Sequence, residues 1–217
     1  MSELFELVAE ATGQTLLMVL FSMIFSTLLG FPLGVLLSIT KPNGLIPRKA
    51  LYEVLSKIVN VLRAFPFIIL IIVLFPLTRI IVGTSIGTVA TIVPLSIAAA
   101  PFVARVIETA LNEVSPDLIQ AARAMGSTNW QIIVKVLIPE ALPSLVDGMT
   151  LTIINLIGYS AMAGIVGGGG LGDLANRYGY QRFRTDVLIA SVIVILILVE
   201  LIQFTGTKIS QGIQKKR

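Results

Sequence analysis

Residues Val187–Phe204 read VLIASVIVILILVELIQF, an apolar stretch in which Glu200 is the only charged residue. A membrane core of about 30 Å requires about 20 helical residues, so this stretch has the length of a membrane-spanning helix. The whole chain is similarly apolar, because 55% of its 217 residues are hydrophobic and 13% are charged. We therefore predict an all-α, polytopic membrane bundle rather than a soluble domain.

Four further stretches have a similar length and composition. Together with the first, they predict five transmembrane helices at about residues 14–39, 58–78, 86–106, 144–163 and 186–206. In the most N-terminal of these, Gly30 and Gly34 are spaced for close packing against another helix. Gly83 and Gly87 indicate a turn before the third. No segment between the spans is long enough for a soluble domain, so residues 1–217 are predicted to form one transmembrane domain.

The basic residues predict the orientation of the bundle. With five spans and an outer N-terminus, the cytoplasmic side carries Lys41, Arg48, Lys49, Lys57, Arg63, Arg105, Arg123, Lys135, Lys208, Lys215, Lys216 and Arg217. The outer side carries only Arg79, Arg177, Arg182 and Arg184. The positive-inside rule therefore favours an outer N-terminus and a cytoplasmic C-terminus. The tail before the first span has Glu3, Glu6 and Glu10 and no basic residue, so we expect no cleavable signal peptide.

Several classes of catalytic site are excluded by composition. The chain has no cysteine and no histidine, which excludes disulfides, Cys/His metal sites and catalytic pairs that use either residue. It also lacks the Gly-Lys-Ser/Thr end of a P-loop, so it has no ATPase site of that type. Gly167, Gly169 and Gly172 satisfy G-x-G-x-x-G, but they follow a predicted membrane helix instead of a strand. We expect no catalytic, cofactor or metal site in this chain.

The loop at about residues 107–143 contains the clearest local signals. Within it, Ser115–Pro143 read SPDLIQAARAMGSTNWQIIVKVLIPEALP. Ser115 is a good N-cap with Pro116 at the first helical position, and Gly126 is expected to end this first helix.

A second helix is expected to follow the glycine. Thr128 and Gln131 have the spacing of a capping box, and Pro139 is expected to end the helix. The loop would then form two helices joined by a glycine corner on the cytoplasmic face. The residues alone equally allow an amphipathic hairpin lying at the membrane interface. They disfavour a DNA-reading pair of helices, because the second helix offers few basic side chains beyond Lys135.

The same loop carries a family resemblance. Gln120-Ala121-Ala122, three residues, Gly126, nine residues and Val136-Leu137-Ile138-Pro139 resemble the EAA loop of permease subunits of bacterial ATP-binding-cassette importers, E-A-A-x3-G-x9-I-x-L-P. Gln120, Val136 and Ile138 depart from that pattern, and Gln120 lacks its charge. The resemblance implies a type I importer permease fold with a coupling helix that docks in a cleft of an ATPase subunit. The coupling residues would be Asp117, Gln120, Ala121, Ala122, Met125, Gly126 and Ser127.

Three longer stretches resemble the five-helix permeases of methionine importers. They are RAFPFIILIIVLFPLTRIIVGTSIG (63–87), AAAPFVARVIETALNEV (98–114) and GYSAMAGIVGGGGLGDLANRYGY (158–180). The resemblance implies a bacterial inner-membrane protein that pairs with a second copy and with two cytoplasmic ATPase subunits, which would hold ATP and Mg²⁺. It also implies an outer binding protein that delivers D- or L-methionine. Relatives in this branch import other small amino acids or short peptides.

Two further sets of residues follow from this resemblance. The translocation path or its gate would involve Asn155, Tyr159, Ser160 and Met162, although a membrane-helix Met also serves for packing and Asn155 also for hydrogen bonding between helices. The glycines Gly167, Gly168, Gly169 and Gly170 would form either a simple flexible turn or a mobile outer segment that touches the binding protein.

Glu200 leaves a different function open. We place it near the inner end of the last span, where a carboxylate snorkels to the interface or bonds within the bundle. An ion-coupled secondary transporter would instead use it to couple transport to an ion gradient. A third alternative is an assembly protein that uses the cytoplasmic helices only for docking. The EAA spacing together with the missing P-loop favours the ATP-driven importer, because both point to a partner ATPase.

Overall fold

The computed structural model describes residues 2–215, and all of its regular elements are helical. Lys216 and Arg217, two of the predicted cytoplasmic charges, lie outside the described residues. The longer helices are α1 (Ser2–Thr40), α2 (Lys49–Ala64), α3 (Phe67–Val82), α4 (Thr88–Asn112), α5 (Pro116–Ala124), α7 (Ile138–Ile165) and α9 (Thr185–Gln214). Two short ones, α6 (Asn129–Ile132) and α8 (Gly170–Leu174), continue into π-helical turns at Ile133–Leu137 and Ala175–Tyr180. The prediction of an all-α fold is confirmed.

Three helices are individually long and apolar enough to cross a membrane, namely α1, α4 and α9. The α2–α3 pair and the pair formed by Asn129–Ile165 and Gly170–Tyr180 meet the same criteria when each bent pair is taken together. Length and composition therefore allow up to five spans within the described residues.

The second predicted span is not one continuous helix. The chain leaves helical geometry at Phe65 and Pro66, between the end of α2 and the start of α3. Proline disfavours helical geometry in the residue before it, and its own amide is not needed in the first turn of a helix. Pro66 therefore ends one helix and begins the next. At the far end of α3, Gly83 adopts a left-handed conformation and closes the helix, as the predicted turn required.

The helix after Thr128 does not end at Pro139, so that prediction is wrong. It runs through the π-helical turn Ile133–Leu137 directly into α7. A proline inside an α-helix clashes with the carbonyl four residues earlier, which here belongs to Lys135 in the π-helical turn. The wider turn displaces that carbonyl, and the helix accommodates Pro139. The irregular part of the predicted loop 107–143 is correspondingly short.

Helices α1 and α9 also extend beyond the predicted spans. Helix α1 begins at Ser2 rather than near residue 14, and α9 continues to Gln214 rather than ending near residue 206. Glu200 lies in the middle of α9 and is exposed on this helix, and its position near the inner end of the span stays a prediction. Gly206 lies within α9 and serves close packing, since a Cβ there would lie 2.1 Å from Thr150 Oγ1.

Contacts within the chain define two compact units. The first comprises 2–26, Phe65–Ala99 and Thr152–Gln203, and the second comprises Thr27–Ala64, Ala100–Leu151 and 204–215. The first unit has a core that includes the fully buried Met18, Leu95, Leu156 and Ile157.

The second unit has its own core around the end of α4. This core includes Val103, Ile107, Ile132 and Leu137, all of them buried. On α1, a Cβ at Gly34 would lie 2.5 Å from the carbonyl oxygen of Ala104. The expected close packing of this glycine against another helix is confirmed.

Candidate functional site

Helix α5 has the local structure that its sequence predicts. The Ser115 side chain accepts a hydrogen bond from the Asp117 amide at 3.3 Å, and Pro116 occupies the first helical position. At the other end, the Ser127 amide donates to the Ala122 carbonyl at 3.1 Å, and Gly126 has φ of +82°. A left-handed residue at this place is the usual helix stop, and glycine adopts it without steric cost.

A capping box begins the next helix immediately after this corner. The Thr128 amide donates to the Gln131 side chain at 2.8 Å, and the Gln131 amide donates to the Thr128 hydroxyl at 3.3 Å. Both orphan amides at this helix start are thereby satisfied. We call Ser115–Gln131 the coupling corner. Capping hydrogen bonds thus stabilise both helices of the corner.

The outer surface of the coupling corner is exposed and partly apolar. Met125 is 79% exposed, and Asp117, Gln120, Ala121 and Gly126 are exposed as well. Ser127 is half-buried. These six of the seven predicted coupling residues therefore have surface that a partner protein can reach.

Ala122 differs from the other six because it is only 3% exposed. It packs in the core of the second unit with Ile132 and Leu137. Its small size is needed inside the unit rather than on a docking surface. Trp130, in contrast, is 73% exposed beside the corner, although sequence reasoning assigned it only to the helix. The sequence did contain a signal for a surface role of Trp130, since it is the only tryptophan in the chain and follows the N-cap by two residues.

Tertiary hydrogen bonds fix α5 against neighbouring elements of the second unit. The Arg123 guanidinium donates to the Leu45 carbonyl at 2.7 Å, in the turn after α1. In the same region, Ser38 and Lys41 both donate to the Asn112 side-chain oxygen, at 2.9 and 2.7 Å. The coupling corner is thus hydrogen-bonded to the turn after α1, and the end of α1 is hydrogen-bonded to the end of α4.

A buried polar network connects α2 to α4. The Glu108 carboxylate is 3% exposed, accepts a hydrogen bond from Arg105 at 2.5 Å, and accepts another from the Tyr52 hydroxyl at 3.1 Å. Arg105 also donates to Ser56 at 3.1 Å and to Asn60 at 2.8 Å. Sequence reasoning missed this network because Tyr52 and Glu108 are 56 residues apart.

The predicted gate residues do not all lie on one face of α7. Asn155 is exposed and Met162 is 46% exposed, two helical turns apart, with the exposed Gly158 between them. Tyr159 instead stacks on Phe67, with ring centroids 4.6 Å apart. Ser160 is buried and donates to a carbonyl of its own helix, that of Ile157, at 2.8 Å. Asn155, Gly158 and Met162 define what we call the α7 face.

The glycines before α8 are held in place rather than forming a free loop. Gly168 and Gly170 are buried, and Gly167 and Gly169 are half-buried. The Gly170 amide donates to the Gln14 side chain at 2.8 Å, and a Cβ at Gly170 would lie 2.6 Å from Thr15 Oγ1. Close packing against α1 therefore explains the glycine at position 170, and the mobility of the segment stays a prediction. Their contact with a binding protein stays a prediction.

More exposed residues follow before α9. Tyr180, at the end of the π-helical turn, and Phe183, in the loop after it, are both exposed. The guanidinium groups of Arg177 and Arg182 both lie over the Tyr178 ring, 5.4 and 4.4 Å from its centre.

The start of α1 and the start of α9 are joined by ion pairs. Arg184 contacts Glu3 at 3.6 Å and Asp186 at 2.9 Å. The hydrogen bond to Asp186 raises the pKa of the Arg184 guanidinium above its ordinary value.

A family comparison agrees with this architecture. The family model described as the inner membrane component of binding-protein-dependent transport systems matches residues 30–206. The chain belongs to this permease family. The match includes the coupling corner, the α7 face and most of α9.

Similar permeases are found in several bacteria. This permease is 49% identical over 201 residues to the probable D-methionine transport system permease protein MetI of Vibrio cholerae, covering 93% of this chain and 89% of the relative. It is 52% identical over 158 residues to the D-methionine transport system permease protein MetI of Escherichia coli, covering 73% of each chain.

Solved structures show the same fold. The permease matches a chain in an inward-facing structure of the MetNI methionine ABC transporter with a TM-score of 0.96 and 47% identity, over 98% of this chain and 99% of that one. A chain of an amino acid ABC transporter solved with histidines matches with a TM-score of 0.74 at 20% identity, which shows the fold alone. The predicted type I importer permease fold is thereby confirmed.

Proposed function

We propose that two copies of this permease form the translocation path of an ATP-driven importer of methionine, in its D- or L-form. The observation that carries this proposal is the 0.96 TM-score with a methionine ABC transporter at 47% identity over nearly the whole chain. The methionine permeases of other bacteria are similarly close in sequence. Other small amino acids and short peptides are the alternative substrates.

Two cytoplasmic ATPase subunits would supply the energy. Each would receive one coupling corner in a surface cleft and would hold ATP with Mg²⁺, for which this chain has no P-loop. ATP binding would draw the two corners together and open the path to the outside, and hydrolysis would return it to the inward-facing state. The hydrogen bond from Arg123 to the Leu45 carbonyl supports this transmission, because it ties the corner to the turn after α1.

The outer side would receive substrate from a binding protein. The N-terminus would lie outside a bacterial inner membrane and the C-terminus in the cytoplasm. The Glu3–Arg184 contact would then lie on the outer side, because the chain would cross the membrane an even number of times between these two residues. The exposed Tyr180 and Phe183 lie in the same outer loop and offer the binding protein more surface than the packed glycines 167–170.

The α7 face would line the path between the two copies, with Met162 as its gate. A Cβ at Gly158 meets no atom within 4 Å, so side chains at this position extend into open space. Gly158→Leu is therefore expected to leave the permease folded and to lower methionine uptake about tenfold or more, because it narrows the path between Asn155 and Met162.

Two variants control for this result. Gly158→Ala removes the helix penalty of glycine, worth about 1 kcal/mol, without filling the path, and should transport normally. Gly13→Leu adds the same bulk on α1, also at a glycine with no neighbour within 4 Å. Uptake by cells with equal amounts of membrane-inserted permease is the measurement. Normal uptake by Gly158→Leu would show that the α7 face does not line the path.

The proposed function is tested by uptake of labelled D- and L-methionine in cells that lack the gene, with and without a plasmid that restores it. Restored uptake should disappear when ATP is depleted. Uptake that survives ATP depletion and stops in Glu200→Gln would instead support an ion-coupled transporter. Unchanged methionine uptake on restoring the gene would direct the search to other amino acids and short peptides.

A further inference from the structure

A groove of about 340 Å³ lies between α4 and α7 in the second unit, with the end of α2 at its edge. Ligand pockets have volumes of roughly 300–1,000 Å³, so the groove is large enough for a small molecule. Its apolar lining includes Phe102, Val106 and Leu151. The two helices approach most closely at Gly148, where a Cβ would lie 2.2 Å from a methyl carbon of Val106.

Charged side chains of both signs also line the groove. Arg105 is engaged by Glu108, Ser56 and Asn60. Arg63 is different, because its guanidinium lies 5.8 Å from the centre of the Phe102 ring and forms no ion pair within residues 2–215. It is the one exposed cation of the groove that the described part of the chain leaves without a carboxylate.

Two carboxylates that line the same groove likewise have no cationic partner among the described residues. Glu113 accepts a hydrogen bond from the Ser144 hydroxyl, and Asp147 accepts one from the Ser210 hydroxyl at 2.9 Å. Hydroxyl partners orient a carboxylate without neutralising it. The groove therefore carries separated charges of opposite sign above an apolar floor.

The positions of these charges indicate which of the two carboxylates can bind the same small ligand as Arg63. Asp147 precedes Gly148, which contacts Val106, and Val106 is one helical turn from the Phe102 ring that Arg63 covers. At 1.5 Å per residue, that turn corresponds to about 6 Å along α4. Glu113 is about 16 Å from Phe102 by the same measure. Arg63 and Asp147 are thus the pair that one small ligand can reach.

We propose that this groove binds an amino-acid zwitterion. Arg63 would bind the carboxylate, Asp147 the ammonium group, and the apolar floor the side chain. Charge-assisted bonds to both ends of a small zwitterion provide orientation as well as affinity. The proposal rests on the proposed function, which supplies methionine as the zwitterion. Glu113, which also lines the groove, is two residues before the N-cap of α5, so the groove extends from the ligand towards the coupling corner.

The test is equilibrium binding of labelled L-methionine to the purified permease–ATPase complex, without binding protein, in nanodiscs of phosphatidylglycerol. Norleucine should compete, whereas methionine methyl ester and N-acetylmethionine should compete weakly, because each lacks one charge. Arg63→Gln should weaken binding about tenfold or more and abolish the preference over the methyl ester. Asp147→Asn should weaken it similarly and abolish the preference over the N-acetyl compound, while keeping an acceptor for Ser210.

Matched controls come from exposed charges on α2 outside the groove. Lys57→Gln and Glu53→Gln remove one cation and one carboxylate and should leave binding unchanged. A parallel set of nanodiscs contains phosphatidylethanolamine, whose headgroup carries the same two charges. Weaker methionine binding there assigns the groove to the headgroup, and unchanged binding assigns it to the amino acid.

Either assignment requires Arg63→Gln and Asp147→Asn to weaken binding. Methionine binding that is absent in both lipid compositions, or that is equal in the groove variants and the controls, overturns the proposal. Normal ATP-dependent uptake together with such a result would contradict methionine binding in the groove and would leave the proposed importer function unaffected. Absence of methionine uptake in cells would instead contradict the proposed function itself.

Discussion

Methionine uptake is expected to fall to background when Gly126 is replaced by tryptophan, although the variant reaches the membrane in normal amounts. Gly126 is exposed at the tip of the coupling corner, and a Cβ there meets no atom within 4 Å. The indole would therefore lie on the docking surface and keep the corner out of its ATPase cleft. The left-handed backbone costs a non-glycine residue about 1–2 kcal/mol, which alone does not unfold a domain.

Two smaller substitutions separate bulk from backbone strain. Gly126→Ala has the same unfavourable φ with one added carbon, and Gly126→Asn has a side chain that tolerates the left-handed region. Both should retain most of the uptake. Copurification of the ATPase subunit with each variant measures docking directly. Normal uptake by Gly126→Trp with its ATPase still bound would show that the corner is not the docking surface.

The elements that sequence predicted well are those decided by neighbouring residues. The N-cap at Ser115, the stop at Gly126 and the capping box of Thr128 with Gln131 each depend on side chains no more than a few positions apart. Gly34 was also predicted correctly, because small residues one helical turn apart are useful mainly where two helices touch.

Errors arose where an average over many residues replaced local geometry. Hydropathy is continuous across Phe65 and Pro66, so the second span was predicted as one helix although Pro66 divides it. At Pro139 the error was the opposite, because the sequence contains the proline but gives no sign of the π-helical turn that accommodates it.

Long-range pairs were beyond local reasoning altogether. The Gly170 amide bonds to Gln14, which is 156 residues away, and this contact converts a glycine run that reads as flexible into a packed one. The same limit applies to the candidate gate. The sequence predicts that Asn155, Tyr159 and Met162 lie on one helix. Only the structure shows that Tyr159 packs against Phe67 and so does not belong to the exposed α7 face.

The largest loss of stability is expected from Glu108→Ala. This change removes the buried acceptor of both Arg105 and Tyr52 and leaves a partly buried guanidinium without its carboxylate. Breaking a buried ion pair costs about 3–5 kcal/mol. The Arg105 side chain is 22% exposed and keeps Ser56 and Asn60, so we expect about 3 kcal/mol, the lower end of that range.

Three variants divide this effect among its parts. Tyr52→Phe removes one hydrogen bond to a charged group and should cost about 1.5 kcal/mol. Glu108→Gln keeps an acceptor but loses the charge, so its cost should fall between those of Tyr52→Phe and Glu108→Ala. Glu53→Ala removes an exposed carboxylate on α2 and should change stability little, because surface pairs contribute about 0–1 kcal/mol.

Thermal unfolding of the purified complex at one fixed heating rate ranks these variants. The order Glu108→Ala, Glu108→Gln, Tyr52→Phe, Glu53→Ala, from least to most stable, is expected if the carboxylate holds α2 against α4. Equal midpoints for Glu108→Ala and Glu53→Ala would mean that apolar contacts, such as those of the buried Val59, position α2 without the network. Arg63 lies on α2 and lines the groove. If Glu108→Ala displaces α2 from α4, it should therefore also weaken methionine binding, although Arg63 itself is unchanged.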